Sequence, residues 1–171
     1  MVKPEIDETP NDGEGPAETA LRLAIAKAMA VAPAQPDSGD ALIVGSDQVA
    51  DLNGKQLGKP GTRENAIRQL QAMRGQTLIF HTAIALVRGS SRRVQSRVVS
   101  TEVKFRTYTD QEIQHYLDRE DALDCAGSAK SEGLGAALIS RMTSDDPTAL
   151  IGLPLLALID MLAEENYSVL A

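Results

Sequence analysis

The chain has 171 residues, of which 43% are apolar and 24% charged, a balance that predicts a single soluble domain with a sizeable core. Its formal net charge is −7, aromatic residues make up 3% and tryptophan is absent. These features argue against a nucleic-acid polymer as partner, which would need a basic surface or stacking rings.

Membrane and metal-cluster classes are also disfavoured. No apolar run approaches the roughly 18 residues of a transmembrane helix, and the start MVKPEIDETP lacks the apolar segment of a signal peptide. The single cysteine cannot form an internal disulfide, so a reducing cytoplasm is expected. With two histidines and one cysteine, metal binding would have to rest on carboxylates.

The first forty residues predict a loop, a helix and a second loop. Residues 1–15 are polar and contain proline and glycine, which is typical of an extended loop. From Pro16 to about Ala30, apolar residues recur at helical spacing, with Pro16 in the first turn. The stretch from Ala32 to Asp40 contains prolines and a glycine and predicts a loop. The inward face of the helix is predicted to comprise Leu21, Ala24, Ile25 and Ala28.

The most informative stretch runs from Ala41 to Pro60. Ala41–Val44 predicts a short buried strand, and Asp47 follows it at the position where open α/β sheets place ligands. Asn53-Gly54 is a strong hairpin signal, so the chain should return and end the hairpin at Gly58-Lys59-Pro60. Such a hairpin can bring the carboxylate of Asp47 and the ammonium of Lys59 to one mouth. That pair suits a metal-bound polyphosphate.

The rest of the chain alternates between helices and strands. Thr62 can cap a helix that Gly75 ends, and Thr109 with Glu112 forms a capping box. The predicted elements are a helix over Arg63–Arg74, strands over Thr77–Arg88 and Val94–Arg106, a helix from Asp110 to about Arg119, a strand over Ala136–Met142 and a helix over Leu155–Glu164. The predicted fold class is α/β, with a mixed twisted sheet and flanking helices.

Several residues are assigned ordinary structural roles. Cys125 has no histidine nearby in the sequence and is expected to pack as a small residue, and neither His81 nor His115 has an evident partner. The polar stretch at residues 144–146 predicts a solvated turn. The glycine-rich passage Cys125–Gly135 allows close backbone approach to a ligand. The apolar stripe of the last helix, Leu155, Leu158, Ile159 and Leu162, belongs to the core or to a subunit contact, and periodicity does not separate the two.

Seven short motifs occur in order along nearly the whole chain. They are Asp7-Glu8-Thr9, Ala26-Lys27-Ala28, Gly45-Ser46-Asp47-Gln48, Gly58-Lys59-Pro60, Cys125-Ala126-Gly127-Ser128, Lys130-Ser131-Glu132-Gly133 and Ile151-Gly152-Leu153-Pro154. Together they resemble the Maf family of nucleoside triphosphate pyrophosphatases. The resemblance implies a Maf/ITPase-like fold, a nucleoside triphosphate substrate and a divalent cation, Mg²⁺ first and Mn²⁺ or Co²⁺ as alternatives. It also implies a homodimer.

The resemblance assigns roles to six residues, namely Glu8, Lys27, Asp47, Gln48, Lys59 and Glu132. Asp47 would accept a proton from the attacking water and would hold the metal together with Glu8. The two lysines would neutralise charge on the phosphates. The glutamine and Glu132 resemble the branch that acts on 7-methyl-GTP, since a carboxylate accepts the N–H groups of guanine and favours a cationic base. The competing roles are a turn-forming aspartate, solvated acids and surface lysines.

The sequence departs from the family pattern at its start. Family members begin with an apolar strand and a Ser-x-Ser-x-Arg-Arg turn that holds the triphosphate, and residues 1–6 do not match this segment. We therefore expect one Maf-like domain over residues 1–171 that lacks it. Two functions remain: hydrolysis of the α–β phosphate bond, foremost of 7-methyl-GTP to 7-methyl-GMP and pyrophosphate, or a non-catalytic nucleotide-binding regulator linked to septum formation. Metal-dependent turnover separates them.

Overall fold

The computed structural model describes residues 2, 4–32 and 41–171, and these residues form an α/β fold. In chain order the elements are α1 (Pro16–Val31), β1 (Leu42–Leu52), β2 (Lys55–Leu57), α2 (Arg63–Met73), β3 (Thr77–Arg88), β4 (Val94–Phe105), α3 (Asp110–Leu117), β5 (Ile139–Thr143) and α4 (Leu155–Glu164). The strands form one sheet in the order β2-β1-β3-β4-β5. The predicted α/β class with flanking helices is confirmed. The sheet is antiparallel, whereas a mixed sheet was predicted.

Two further expectations concern the loop after α1 and the membrane-spanning potential of the helices. The loop predicted from Ala32 to Asp40 falls, after Ala32, outside the described residues. Within the described ranges, none of the helices combines the length and the apolarity needed to cross a bilayer.

The chain divides into two compact units. Unit 1 comprises residues 1–48, 82–99 and 146–171, and unit 2 comprises residues 49–81 and 100–145. Strands β1, β3 and β4 each contribute residues to both units, so the division follows packing and not the boundaries of the strands.

Unit 1 is built on the close packing of α1 against the first half of β1. A Cβ atom at Gly45 would lie 2.3 Å from the carbonyl oxygen of Ala24 and 2.7 Å from the backbone nitrogen of Ala28. The residues of α1 that are buried are therefore mainly small, which moves the inward face away from the predicted one. Ala24 and Ala28 are buried as predicted, whereas Leu21 and Ile25 are only half-buried.

A second apolar cluster in unit 1 lies under α4. Ile84 and Leu86 of β3 are buried with Met161 of α4, and Leu158 and Leu162 pack against them. Of the predicted stripe, only Leu158 and Leu162 pack against this core, whereas Leu155 and Ile159 are 42% and 44% exposed.

The start of α4 is fixed by a buried acid. Asp146 is 2% exposed, and its carboxylate accepts hydrogen bonds from the backbone nitrogen of Leu156 at 2.7 Å and from the hydroxyl of Thr148 at 2.6 Å. Burial would raise the pKa of Asp146, but these hydrogen bonds outweigh burial and lower the pKa. The predicted solvated turn at residues 144–146 is therefore wrong for Asp146, whose partners are Thr148 and the first turn of the following helix.

Unit 2 contains the hairpin and the glycine-rich passage. Asn53 and Gly54 both have positive φ, 54° and 85°, as the type I′ turn requires, and the predicted hairpin is confirmed. Strand β5 begins at Ile139 and not at the predicted Ala136, because Leu134–Leu138 forms a 3₁₀ turn. The core of this unit comprises Leu70, Met73, Leu78, Phe80, Val103 and Phe105.

Candidate active site

Asp47 lies in the middle of β1. The predicted strand over Ala41–Val44 is too short, since β1 runs on to Leu52 and carries four polar residues within it. Successive side chains of a strand point to opposite faces, so Asp47 lies on the face that Gly45 presents to α1. Asp47 is thus held within a regular strand and not directly after its end, where the sequence analysis placed it.

Three of the six predicted residues meet in unit 1. The Nζ atom of Lys27, on α1, lies 2.5 Å from Oδ1 of Asp47 and 2.9 Å from Oε1 of Glu8. The Asp47 side chain is 10% exposed and that of Lys27 22%, whereas Glu8 is 45% exposed. The ammonium is therefore shared by one nearly buried carboxylate and one that is accessible to solvent.

The protonation state of Lys27 follows from these partners. Burial alone would lower the pKa of Lys27, but the hydrogen bonds to Asp47 and Glu8, together with their negative charges, raise it above its ordinary value. Lys27 is accordingly a fixed positive charge and does not act as a base at neutral pH.

The N-terminal loop that carries Glu8 is fastened to α1 by Arg22. The guanidinium of Arg22 donates a hydrogen bond to the carbonyl oxygen of Thr9 at 3.0 Å and pairs with Glu14 at 2.6 Å. This pairing holds the pKa of Glu14 at about 2. Sequence reasoning missed Arg22, because its partners Thr9 and Glu14 lie in the loop before α1 and not at helical spacing from it.

Gly45 is a second positioning residue, to which the sequence analysis gave no role beyond its place in the Gly45-Ser46-Asp47-Gln48 motif. Because Gly45 has no side chain, the backbone of α1 can approach β1 closely. The Cβ atom of any other residue would lie 2.3 Å from the carbonyl oxygen of Ala24 and 2.7 Å from the backbone nitrogen of Ala28. This approach sets Lys27 beside Asp47, two residues further along the same face of the strand.

The opposite face of β1 binds the segment before α4. The hydroxyl of Ser46 lies 2.7 Å from the carbonyl oxygen of Gly152. The amide nitrogen of Gln48 lies 2.8 Å from the hydroxyl of Thr82 and donates to the carbonyl oxygens of Ala149 and Leu150 at 3.2 and 3.1 Å. Gln48 thus anchors the Ala149–Ile151 turn, and its role in reading the base stays a prediction.

The acids of the cluster fit a hard divalent cation by their chemistry. Mg²⁺ is commonly held by one or two carboxylates together with phosphate oxygens. Glu8 and Asp47 supply two carboxylates that already converge on one cationic atom, the Nζ of Lys27. Within the described part of the chain no group of three or more His, Cys, Asp and Glu side chains forms a metal site, so substrate oxygens would have to complete the coordination.

Lys59 lies in unit 2, directly after β2. Its Nζ atom is 3.4 Å from Oδ1 of Asp124, and both side chains are more than half exposed. Helix α2 anchors this loop by two hydrogen bonds. The carbonyl oxygen of Gly58 accepts one from Gln69 at 3.0 Å, and that of Pro60 accepts one from Asn65 at 2.9 Å. An exposed lysine on an anchored loop can bind phosphate without a change of backbone structure.

Glu132 also lies in unit 2, exposed on a tightly folded loop. A Cβ atom at Gly135 would lie 2.4 Å from the carbonyl oxygen of Lys130, so the loop closes only with glycine there. Glu120 fastens it, pairing with the ammonium of Lys130 at 3.0 Å and accepting a hydrogen bond from the backbone nitrogen of Leu134 at 2.9 Å. The glycine-rich passage therefore presents Glu132 from a fixed backbone.

Two residues that sequence reasoning set aside have different environments. Burial raises the pKa of the Cys125 thiol, which agrees with a packed residue and not with a nucleophile. His81, expected to be without a partner, has its Nδ1 atom 2.9 Å from Oγ of Ser100 and its Nε2 atom 3.6 Å from Asp51. These partners are on neighbouring strands, so only the sheet brings them together.

Comparison with known proteins gives a consistent result. The Maf-like protein family matches residues 1–165. A 7-methyl-GTP pyrophosphatase of Aromatoleum aromaticum is 56% identical over 165 residues, which are 96% of this chain and 84% of that protein. Proteins of the same name from Methylobacillus flagellatus and Thiobacillus denitrificans are 54% and 52% identical, each over 99% of this chain and 87% and 83% of their own lengths. The chain therefore belongs to the Maf family.

Proposed function

We propose that this protein is a nucleoside triphosphate pyrophosphatase that hydrolyses 7-methyl-GTP to 7-methyl-GMP and pyrophosphate. The observation that carries the proposal is the cluster in which Lys27 lies within 3 Å of both Glu8 and Asp47. The names of relatives that are 52–56% identical over nearly the whole chain support both the reaction and the substrate.

In the proposed reaction, Asp47 accepts the proton of a water molecule while the water oxygen forms a bond to the α-phosphorus. The bond between the α-phosphorus and the bridging oxygen breaks, and the pyrophosphate takes the electron pair. Lys27 is charged and already bound between two carboxylates, so its ammonium is positioned to neutralise the charge that develops on the phosphates. Lys59 would do the same from the loop after β2.

The metal would be held by Glu8 and Asp47. When bound, Mg²⁺ or a similar cation would neutralise phosphate oxygens and polarise the reacting phosphoryl group. The two carboxylates match the oxygen donors that this class of ion requires.

Selection of the base would rest on Glu132 and Gln48. The carboxylate of Glu132 is exposed and can accept the N–H groups of guanine, and its negative charge favours the cationic 7-methyl base over neutral bases. The amide nitrogen of Gln48 is engaged with Ala149 and Leu150, which leaves its oxygen as the group that would read the base.

We also propose that the partner of this chain is a second copy of itself. Ile151, Leu155, Leu156 and Ile159 are each at least 42% exposed at the start of α4, and a two-fold axis would pair this apolar face with its own copy. Replacing Ile159 by aspartate should convert a dimer to a monomer in sedimentation velocity.

The substrate belongs to the nucleotide pool, which favours the cytoplasm as the compartment.

Pyrophosphate release with Mg²⁺ tests the proposal on 7-methyl-GTP, GTP, dTTP, UTP and CTP. We expect preference for 7-methyl-GTP, loss of turnover in Asp47→Asn and a reduced preference over GTP in Glu132→Gln. Asp51→Asn is the matched control, since Asp51 lies on the same strand and is 16% exposed but contacts His81 instead of Lys27. Full turnover in Asp47→Asn would overturn the proposed chemistry, and equal turnover of all five nucleotides would overturn the proposed specificity.

A further inference from the structure

Unit 2 contains a cavity of about 240 Å³ formed by α3, the turn after β4 and the Leu134–Leu138 segment. None of its lining residues belongs to the six predicted site residues. Its floor is apolar and aromatic: Tyr108, Tyr116 and Leu138 line it and are each at most 6% exposed. The function proposed above does not use this cavity.

The hydroxyl groups of the two tyrosines are already engaged. The Tyr108 hydroxyl donates to the carbonyl oxygen of Leu70 at 2.8 Å, and the Tyr116 hydroxyl accepts from the backbone nitrogen of Lys130 at 3.1 Å. Burial raises the pKa of Tyr116 to about 12, so this ring is neutral. The tyrosines therefore add no negative charge to the cavity.

The rim of the cavity is cationic. Arg106 and Arg119 line it and are exposed, and within the described residues neither guanidinium has a side-chain hydrogen bond or an ion pair. The acid on the rim, Glu112, is engaged by the backbone nitrogen and the hydroxyl of Thr109 at 2.7 and 2.9 Å. The two arginines therefore give this part of the surface a positive charge, although the whole chain has a net charge of −7. His115 also lines the cavity.

We propose that this cavity binds a small aromatic phosphate monoester, with its ring on the tyrosine floor and its phosphate at the two arginines. Guanidinium groups pair with phosphate oxygens through parallel hydrogen bonds, and a dianion matches two of them. The volume of about 240 Å³ is below the roughly 300–1,000 Å³ of pockets for drug-sized ligands. That size suits an occupant with one ring and one phosphate.

Calorimetric titration with phenyl phosphate tests the proposal. Phenyl phosphate should bind saturably and more tightly than inorganic phosphate or phenol, because only it engages both the floor and the rim. In the double variant Arg106→Gln/Arg119→Gln its affinity should fall about tenfold or more, since two charge-assisted contacts are lost. The matched control is Arg141→Gln, which removes an exposed arginine of β5 outside the cavity and should leave the affinity unchanged.

Tyrosine fluorescence locates the bound probe. The chain has no tryptophan and three tyrosines, two of which line the cavity. In Tyr167→Phe the remaining tyrosine emission comes from the two cavity residues alone. This emission should change during titration with phenyl phosphate, with the same midpoint concentration as the calorimetric titration. Ala137→Phe should fill the cavity and abolish binding, whereas Asp47→Asn should leave it intact. Absence of saturable binding, equal affinity in the double variant, or equal loss in Arg141→Gln would each overturn the proposal.

Discussion

Substitution of Gly45 by alanine tests how the fold places the ammonium of Lys27 beside Asp47. The added Cβ atom would lie 2.3 Å from the carbonyl oxygen of Ala24 and 2.7 Å from the backbone nitrogen of Ala28. Both atoms belong to the helix backbone, which cannot rotate aside as a side chain can. To reach ordinary contact, α1 must move away from β1 by about 1 Å.

This displacement has two expected consequences. Overpacking of this kind costs about 1–3 kcal/mol of unfolding free energy, which lowers the urea midpoint by about 0.5–1.5 M at an m value of about 2 kcal/mol/M. Because Lys27 moves with α1, the 2.5 Å contact with Asp47 lengthens. A misplacement of about 1 Å can cost about 100-fold in rate. Urea unfolding followed by circular dichroism and pyrophosphate release from 7-methyl-GTP measure the two effects separately.

A second substitution identifies which atoms cause the effect. Ala28→Gly removes the Cβ atom that would lie 2.9 Å from the new methyl group, but it leaves the two backbone contacts in place. The double variant Gly45→Ala/Ala28→Gly should therefore keep the reduced rate of Gly45→Ala. Recovery of activity in the double variant would show that side-chain crowding is the cause, and a fully active, fully stable Gly45→Ala protein would refute the close-packing argument itself.

Three further predictions concern single residues. Asp146→Asn should lower the unfolding free energy by about 2–3 kcal/mol in urea unfolding, because buried helix donors lose a charged acceptor. The control is Asp145→Asn, at the exposed neighbouring residue, which should change the unfolding free energy by less than about 0.5 kcal/mol in the same assay. The pKa of Asp146 is lowered, so its contribution is present above pH 3.8 and is lost as the pH falls through the folded pKa; the pH dependence of unfolding should be weaker in the variant. The pKa of Lys27 is raised, so the stability difference between wild type and Lys27→Gln should persist up to pH 10.5 and shrink only above it; a difference that vanishes at pH 8 would contradict this assignment. Gly54→Ala should lower the unfolding free energy by about 1–2 kcal/mol through the positive φ of this position alone, since no atom lies within 4 Å of the added Cβ. Gly58→Ala is the control in the same hairpin: Gly58 has neither a positive φ nor an atom near the added Cβ, so the unfolding free energy should hardly change.

Elements specified by neighbouring residues were predicted well from the sequence. The capping box of α3 forms as expected: the backbone nitrogen of Thr109 donates to Glu112 at 2.7 Å, and the backbone nitrogen of Glu112 donates to Thr109 at 3.2 Å. Thr62 caps α2 with its side chain, which accepts a hydrogen bond from the backbone nitrogen of Asn65 at 3.2 Å. The Asn53-Gly54 turn sets the register of the hairpin. Each of these features needs only three or four consecutive residues, so the local sequence contains all the necessary information.

Features that depend on remote partners were not predictable. Asp146 reads as a solvated acid because its acceptor role depends on Leu156, ten residues later and on another element. His81 reads as unpaired because Asp51 and Ser100 reach it only through strand pairing. The length of β1 was underestimated for the same reason: polar residues end a strand in a local pattern, but here Gln48 is satisfied by a turn about a hundred residues away.

The motif Gly45-Ser46-Asp47-Gln48 can now be explained by the two-residue period of the strand. The odd positions face α1: Gly45 permits the approach of the helix, and Asp47 receives the ammonium of Lys27. The even positions, Ser46 and Gln48, face the other way and hold the carbonyl oxygens of the turn before α4. A shift of one residue would exchange the two faces and would separate Asp47 from Lys27. The strand therefore fixes the acid from both sides, through a close helix on one face and an anchored turn on the other, and this explains how a carboxylate that is 10% exposed keeps a single position.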